Sequence, residues 1–385
     1  MSTLEAIKRT IPSDARAAQN AIANRWETFV GTGELSQRGL RPVIADSWLR
    51  CRELAINPFK SRVHSVISDE EIESRLHTEN LGISAKNVLD RMSASVEDMK
   101  HPITLADNTG MILYSVGHKD VRAHMEKVNF RPGSNWSESI AGPNGIGTTL
   151  ALEEPEIIFG PEHFCRGWQS WVCYGAPVHS PIDNTVLGCI NISGPADKIH
   201  IEAMALAMSI SQSIESELSI IQFKNREQLR YAYCDLQLNW PNNASLVVDE
   251  RGNIIDINSH ANGLLNPYSS LINQSINSSF PNLMPHIEEC LIHGAEKEVE
   301  IRLQKIEAEV VQLLLRPIMI EGKPLGCVIM VIEGDNVINS FTSLRSKEDD
   351  LIRNTLLNTN NNVSKAAKIL NIDRTTIYRR RKNWQ

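Results

Sequence analysis

Residues 130–181 read FRPGSNWSESIAGPNGIGTTLALEEPEIIFGPEHFCRGWQSWVCYGAPVHSP, and the fold of the chain turns on what this stretch is for. It crowds Trp136, His163, Phe164, Cys165, Trp168, Trp171 and Cys173 together, with His179 and Cys189 close behind. Such a set invites a zinc or thiol-enzyme reading. Structural zinc sites present paired ligands such as Cys-x-x-Cys. No spacing recurs among these five Cys and His residues, so no metal is expected. A Cys–His nucleophile would have to be assembled by the fold, whereas cysteines set among Phe and Trp behave as small buried hydrophobes. The run Pro143–Thr149 is no phosphate loop, because it lacks the lysine and the spacing that phosphates need. Its glycines instead allow a helix to begin in a tight space.

On either side lie hairpins. HPITLADNTGMILYSVG (101–117) reads as strand Ile103 to Ala106, turn Asp107 to Gly110 and strand Met111 to Val116. APVHSPIDNTVLGCINISGP (176–195) repeats the design, with strands Ala176 to His179 and Val186 to Ile192 around a turn at Pro181 to Asn184. A helical stretch follows from about Ile199 to Leu229. Its apolar stripe Ile210, Ile214, Leu218, Ile221 suits either packing on its own domain or pairing with a second copy. Hairpins flanked by helices predict an α+β layer with one antiparallel sheet. Residues 241–333 predict a second such unit: strand, Asp-Glu-Arg-Gly turn, strand, a short helix, then three more strands to Glu333. The polar run 334–346 reads as a linker.

The last segment differs in kind. Five of the nine residues from Arg374 to Lys382 are basic, and from Arg345 onward the net charge is +6, against −7 for the whole chain. Positive charge confined to one end of an acidic chain marks a polyanion-binding segment. Three helices are expected in 347–385: Lys347 to Asn358; one capped by Ser364, running to Leu370, with Ala366, Ala367, Ile369 and Leu370 packing; and one capped by Asp373, with Ile377 buried. Two short helices joined by a three-residue turn have the dimensions of a helix-turn-helix.

Three resemblances follow. Ser364 to Lys382 resembles the Fis-type helix-turn-helix. That match implies base-edge contacts from Arg374, Thr376 and Arg379, phosphate contacts from Lys365, Arg380, Arg381 and Lys382, and Thr375 and Tyr378 on the same helix. Arg381 stands where members often have Leu. The stretch 130–181, with its Gly-x-Asn-x-Ile-Gly-Thr, Glu-His-Phe-Cys and Trp-x-Cys-x-x-Ala-Pro series, resembles the GAF sensor domain of acetoin- and dihydroxyacetone-type catabolic regulators. RPVIADSWLRCRELAINPF (41–59) is similar to their helical leader. Residues 241–333 resemble a PAS domain.

Together these imply a multidomain α+β chain: leader 1–83, GAF-like domain 84–220 with a connecting helix to about 230, PAS-like domain 241–333, linker 334–346 and all-α helix-turn-helix 347–385. If the GAF-like domain is a sensor, its pocket should be apolar with few polar groups. Trp136, His163, Phe164, Trp168, Trp171 and Cys173 are its candidate lining, with plain aromatic core packing the standing alternative. The resemblance implies a small ketone, alcohol or related metabolite, or a regulatory protein. No haem-ligating His or flavin-reactive Cys motif is evident, so no cofactor is expected. Relatives of this kind usually carry a central AAA+ ATPase acting with sigma-54. The sequence holds neither G-x-x-x-x-G-K-[ST] nor Gly-Ala-Phe-Thr-Gly-Ala, so those activities are not carried over.

The seven cysteines are odd in number and scattered, which suits reduced thiols. With neither an apolar span nor a signal sequence the expectation is a cytoplasmic protein, at the nucleoid when bound to DNA, with no membrane partner. One bidentate arginine–guanine pair discriminates by about 1–3 kcal/mol, short of the ~4–10 kcal/mol typical of specific binding. A homodimer on an inverted repeat in double-stranded DNA is therefore expected. Two other readings stay open: a metabolite-processing enzyme built on the Cys/His group, and a non-specific DNA-binding scaffold.

Overall fold

The computed structural model describes residues 14–36, 39–64, 66–78, 80–96, 101–197, 199–240, 243–265, 271–278, 280, 282–302, 310–320, 322–333, 352, 355–356, 359, 363–370 and 372–381. Two compact units divide the chain between Phe223 and Lys224.

In the first unit four helices, α1 (Ala15–Thr32), α2 (Pro42–Glu53), α3 (Asp69–Thr78) and α4 (Asn80–Val96), precede the strands β1 (Ile103–Asp107) and β2 (Ile112–Val116). Helices α5 (Lys119–Glu126), α6 (Glu138–Ala141) and α7 (Gly147–Leu152) follow. The strands β3 (Glu156–Phe159), β4 (Trp171–His179) and β5 (Val186–Pro195) come next, then the long helix α8 (Ile201–Asn239). The sheet runs β2-β1-β5-β4-β3, antiparallel throughout. The expected 107–110 turn is built by Asp107, whose Oδ1 accepts from Thr109 N at 2.9 Å and Met111 N at 3.0 Å. Gly110 sits there at φ 82°, and a Cβ on it would meet Ser137 N at 2.6 Å, so only glycine fits.

β4 is buried along all but its last residue, which is why its sequence shows no alternation. Helix α8 presses Met204, Ala207, Ile210, Ile214 and Leu218 into the core of the same unit. Its Ser211 hydroxyl donates to Pro177 O, and Glu215 accepts from His179 N at 2.8 Å. The stripe that left two readings open is thus used at home; Ile221 alone stays half-buried.

The leader is part of this core rather than an appendage. Ile22, Trp26, Phe29, Ile44 and Trp48 join one buried cluster with the sheet residues. Trp26 Nε1 donates to Phe164 O at 2.7 Å, and Trp48 Nε1 to Glu162 O at 2.9 Å. Arg41 bonds both carboxylate oxygens of Glu162 at 2.8 Å, reaches Glu156 at 2.5 Å and donates to Ile157 O. The position expected to separate leader from sensor, 83/84, falls inside α4.

The second unit is a sheet in the order β7-β6-β10-β9-β8. Its strands are β6 (Ser245–Asp249), β7 (Ile254–Ile257), β8 (Lys297–Arg302), β9 (Val310–Ile320) and β10 (Lys323–Glu333), with helices α9 (Ser259–Leu265) and α10 (Met284–His293) between β7 and β8. β10 shows the period-two alternation of a sheet with two different faces. Cys327 and Ile329 join Ile287 and Leu291 of α10 on one side. Val328 and Met330 join Leu229 and Tyr233 of α8 on the other. Those two anchors extend α8 to Asn239, beyond the expected end near 230.

In the basic segment, α11 (Val363–Leu370) and α12 (Arg374–Arg381) pack Ala366, Ala367 and Ile377 with Ile352 and Leu356. Two expectations are corrected. Ser364 lies inside α11, which begins at Val363, so it is not the cap; and Ile369 is 61% exposed, off the packing face. The expected helix Lys347 to Asn358 falls largely outside the described residues.

Removing one partner of a buried pair leaves an uncompensated charge, typically a loss of about 3–5 kcal/mol. Arg41→Met should lower unfolding stability by that order in a denaturant titration. Adding Glu162→Leu should recover much of the loss if stranded charge is its source.

Candidate functional site

The motif Glu162-His-Phe-Cys165 starts on the short 3-10 turn Gly160–Glu162 and continues through a bend, which sends its side chains in different directions. Glu162 and Phe164 face the leader: Glu162 holds Arg41, and the Phe164 ring lies 6.3 Å from that of Phe29. His163 faces the other way, into a small cavity. This cavity is lined by Met125, Val128, Phe130, Trp136, Asn144, His163, Trp168, Trp171 and Cys173. Five of the six predicted lining residues therefore converge. Phe164 does not: its ring lies against Phe29 of the leader. Sequence reasoning passed over Met125, Val128, Phe130 and Asn144. Phe130 and Asn144 lie within the quoted stretch; Met125 and Val128 carried no local signal.

The walls are aromatic and mutually braced. Trp136 stands edge-on to Phe130 at 4.7 Å and to Trp168 at 4.9 Å between centroids. Trp136 Nε1 donates to Ser134 Oγ at 3.1 Å and Asn129 O at 3.3 Å, and Trp168 Nε1 to Ala141 O at 3.1 Å. The Asn144 amide is spent at both ends: Nδ2 donates to Trp136 O and Gly142 O, and Oδ1 accepts from Ile146 N and Gly147 N. Asn144 thereby pins the Gly-x-Asn-x-Ile-Gly turn to the wall.

His163 is fully buried, with Nδ1 2.9 Å from Gly160 O. A carbonyl only accepts, so Nδ1 carries the proton and Nε2 offers a lone pair. Nε2 is buried with no partner among the described residues. Burial pushes the imidazole pKa down to about 4, against a partial rise from the Gly160 bond, so the ring is neutral at pH 7.

The thiols nearby are not poised for chemistry. Burial pushes Cys165 and Cys189 up to about 12 and raises Cys173 as well. A thiol held protonated is a poor nucleophile. Among the described residues no group of three or more His, Cys, Asp or Glu could hold a metal ion.

The second candidate is α11–α12. Asp373 caps α12, its Oδ1 accepting from Thr375 N and from Thr375 Oγ1, each at 2.8 Å. Ile377 is the fully buried anchor. Arg374 and Thr375 are exposed at the start of α12, Thr376 is half-buried and Lys365 is exposed on α11. The α12 backbone continues through Tyr378, Arg379, Arg380 and Arg381, whose side chains lie outside the described residues, as does Lys382 entirely.

Comparison with known proteins bears on both sites. The family model described as "MimR, N-terminal domain" matches residues 12–216, more than half of the chain. "Bacterial regulatory protein, Fis family" matches residues 343–384. The acetoin dehydrogenase operon transcriptional activator AcoR of Bacillus subtilis is 32% identical over 213 residues, 54% of this chain and 34% of that protein. The propane 2-monooxygenase operon transcriptional activator MimR of Mycolicibacterium smegmatis is 27% identical over 231 residues, 60% of this chain and 37% of that protein. The chain spans little more than a third of the length of these two curated relatives. A solved E. coli DhaR(N)–DhaL complex is 16% identical at a TM-score of 0.49, covering 76% of this chain and 100% of that one.

The His163 imidazole sets a sign for pH dependence. Unfolded, it takes a proton near pH 6.5; folded, not until about 4. Between these values the unfolded chain binds more protons, so stability falls as pH falls, by about 3 kcal/mol from this residue, and is flat above pH 6.5. His163→Leu should remove that part of the acid slope in urea titrations between pH 7 and 4.

Proposed function

The chain belongs to the family defined by the MimR N-terminal domain, and on that premise we propose that it is a DNA-binding transcriptional regulator whose first unit senses a small molecule. The observation that carries the proposal is the α11–α12 pair: an Asp-capped, Ile377-anchored helix with Arg374 exposed at its N-terminal end. A recognition helix uses that end to reach base edges in the major groove. The names of the relatives, transcriptional activators of catabolic operons, agree with this reading. Arg374, Thr376 and Arg379 are assigned to bases; Lys365, Arg380, Arg381 and Lys382 to phosphates; Thr375 and Tyr378 are included in the DNA-binding set. The cavity around His163 is assigned to the effector. No catalytic role is assigned to Cys165, Cys173 and Cys189, whose pKa values burial raises.

We assign the working form to a homodimer at an inverted repeat. Along α8, Ile220, Phe223, Tyr231 and Leu238 are each more than half exposed. Within the second unit Tyr231, Cys234 and Leu238 follow steps of 3 and 4 residues, a narrow stripe on one helix face. This stripe is distinct from Ile210, Ile214 and Leu218, which their own unit buries. A second copy of the helix is the occupant that such a seam suits, and two copies supply the paired half-site contacts that one basic segment lacks.

Sequencing of genomic fragments retained by the full chain should give an inverted repeat, lost when residues 347–385 are deleted. Random retention would defeat the assignment of sequence specificity. Arg374→Ala should weaken the recovered site by about 1–3 kcal/mol in a fluorescence-anisotropy titration while changing binding to random duplex much less. Tyr231→Asp with Leu238→Asp should turn dimers into monomers by light scattering; dimers that survive would place the interface elsewhere.

A further inference from the structure

The His163 cavity is largely filled by its own side chains, with about 10 Å³ of free space. That is the room of one water molecule, yet water suits it badly. An ordered buried water needs two to four polar partners. Here Trp136, Trp168 and Asn144 have committed their side-chain polar atoms, the Cys173 thiol sits 3.4 Å from Ser193 Oγ, and the Trp171 indole is the remaining polar group of the lining besides His163. His163 Nε2 is the one fully buried lining nitrogen left without a partner among the described residues. Leaving such an acceptor bare is costly. The occupant that satisfies both features donates a single hydrogen bond and is otherwise apolar.

Resting on the assignment of this cavity to the effector, we propose that it selects a small neutral alcohol, whose hydroxyl donates to His163 Nε2, over the corresponding ketone. A ketone oxygen only accepts. With Nδ1 committed to Gly160 O, a ketone has no proton to give Nε2 and leaves that buried acceptor bare. Charged metabolites are disfavoured by the same walls, which hold no counter-charge to offset desolvation. Space for the carbon skeleton comes from Met125, Val128 and Phe130, which enter the wall from one short stretch of chain. Met125 is unbranched and the most easily displaced of the three.

The test is a matched pair, 2-butanol and butanone, titrated into the full-length protein and followed by tryptophan fluorescence and calorimetry. Trp136, Trp168 and Trp171 line the cavity, so occupancy should be visible in their emission. Met125→Ala provides a roomier cavity with the polar atoms untouched, and His163→Leu removes the acceptor. In the wild type and in Met125→Ala the alcohol should bind about tenfold more tightly, the equivalent of one neutral hydrogen bond. In a folded His163→Leu protein the two affinities should become equal. A ketone that binds as well as the alcohol in the wild type would overturn the hydroxyl preference and leave the effector site standing. If neither compound perturbs the tryptophans of wild type or Met125→Ala, the cavity is no effector site and both readings fall.

Discussion

The ion cluster at Arg41 is the constraint on which the first unit depends. The guanidinium lies between Glu162 and Glu156 and also holds Ile157 O, so one leader side chain joins β3 to the turn that follows it. Burial alone would lower the Arg41 pKa, but the two carboxylates more than reverse this and keep it charged. Burial of Glu162 works the other way, raising its carboxyl pKa against the opposing pull of Arg41. Such a pair contributes little net stability over a well-packed apolar substitute. What it contributes is placement, since an arginine fork fixes two carboxylates at set angles. The Trp26 and Trp48 indoles, each donating to a carbonyl of the same turn, repeat the constraint in apolar form.

Both units use one turn design. Asp107 and Asp249 each accept backbone N–H groups two and four residues ahead, and Gly110 and Gly252 supply the positive φ that closes the loop. These Asp-x-x-Gly turns made the hairpins readable from sequence, because the chemistry is local. Helix α8 serves both sheets by a change of contact residues: Ile210, Ile214 and Leu218 in one core, Leu229 and Tyr233 in the other. Its polar stretch after Phe223 hid the second half from any periodicity argument, and so the expected end came too early.

Other features were less legible for identifiable reasons. β3 carries Ile157 and Ile158 side by side, both buried, so it offered no alternation to read. The Asp373 cap and the Ile377 anchor were legible because their partners lie within a few residues. Ser364 was misjudged because a Ser near a helix start fits the cap and the first turn equally well. The union of leader and sheet was not legible. It depends on Arg41 meeting carboxylates more than a hundred residues away, and a lone sequence carries no trace of such a pairing.

The cavity and the leader meet in the four residues Glu162 to Cys165. The turn and bend of this segment send Glu162 and Phe164 to the leader and His163 to the cavity, and Cys165 lies 3.6 Å from Asn57 O. The Gly160 carbonyl that fixes the His163 tautomer belongs to the same turn, where Gly160 at φ 53° lies against Gln19 of α1. A group bonded to Nε2 therefore acts on a backbone gripped from behind by Arg41, Trp26 and Trp48. Strain placed there has few soft directions in which to dissipate, because close-packed interiors transmit small displacements. Whatever fills the cavity is thus mechanically continuous with the leader. The sequence Glu-His-Phe-Cys reads as a structural joint, in which one residue faces the cavity and its two neighbours hold the scaffold.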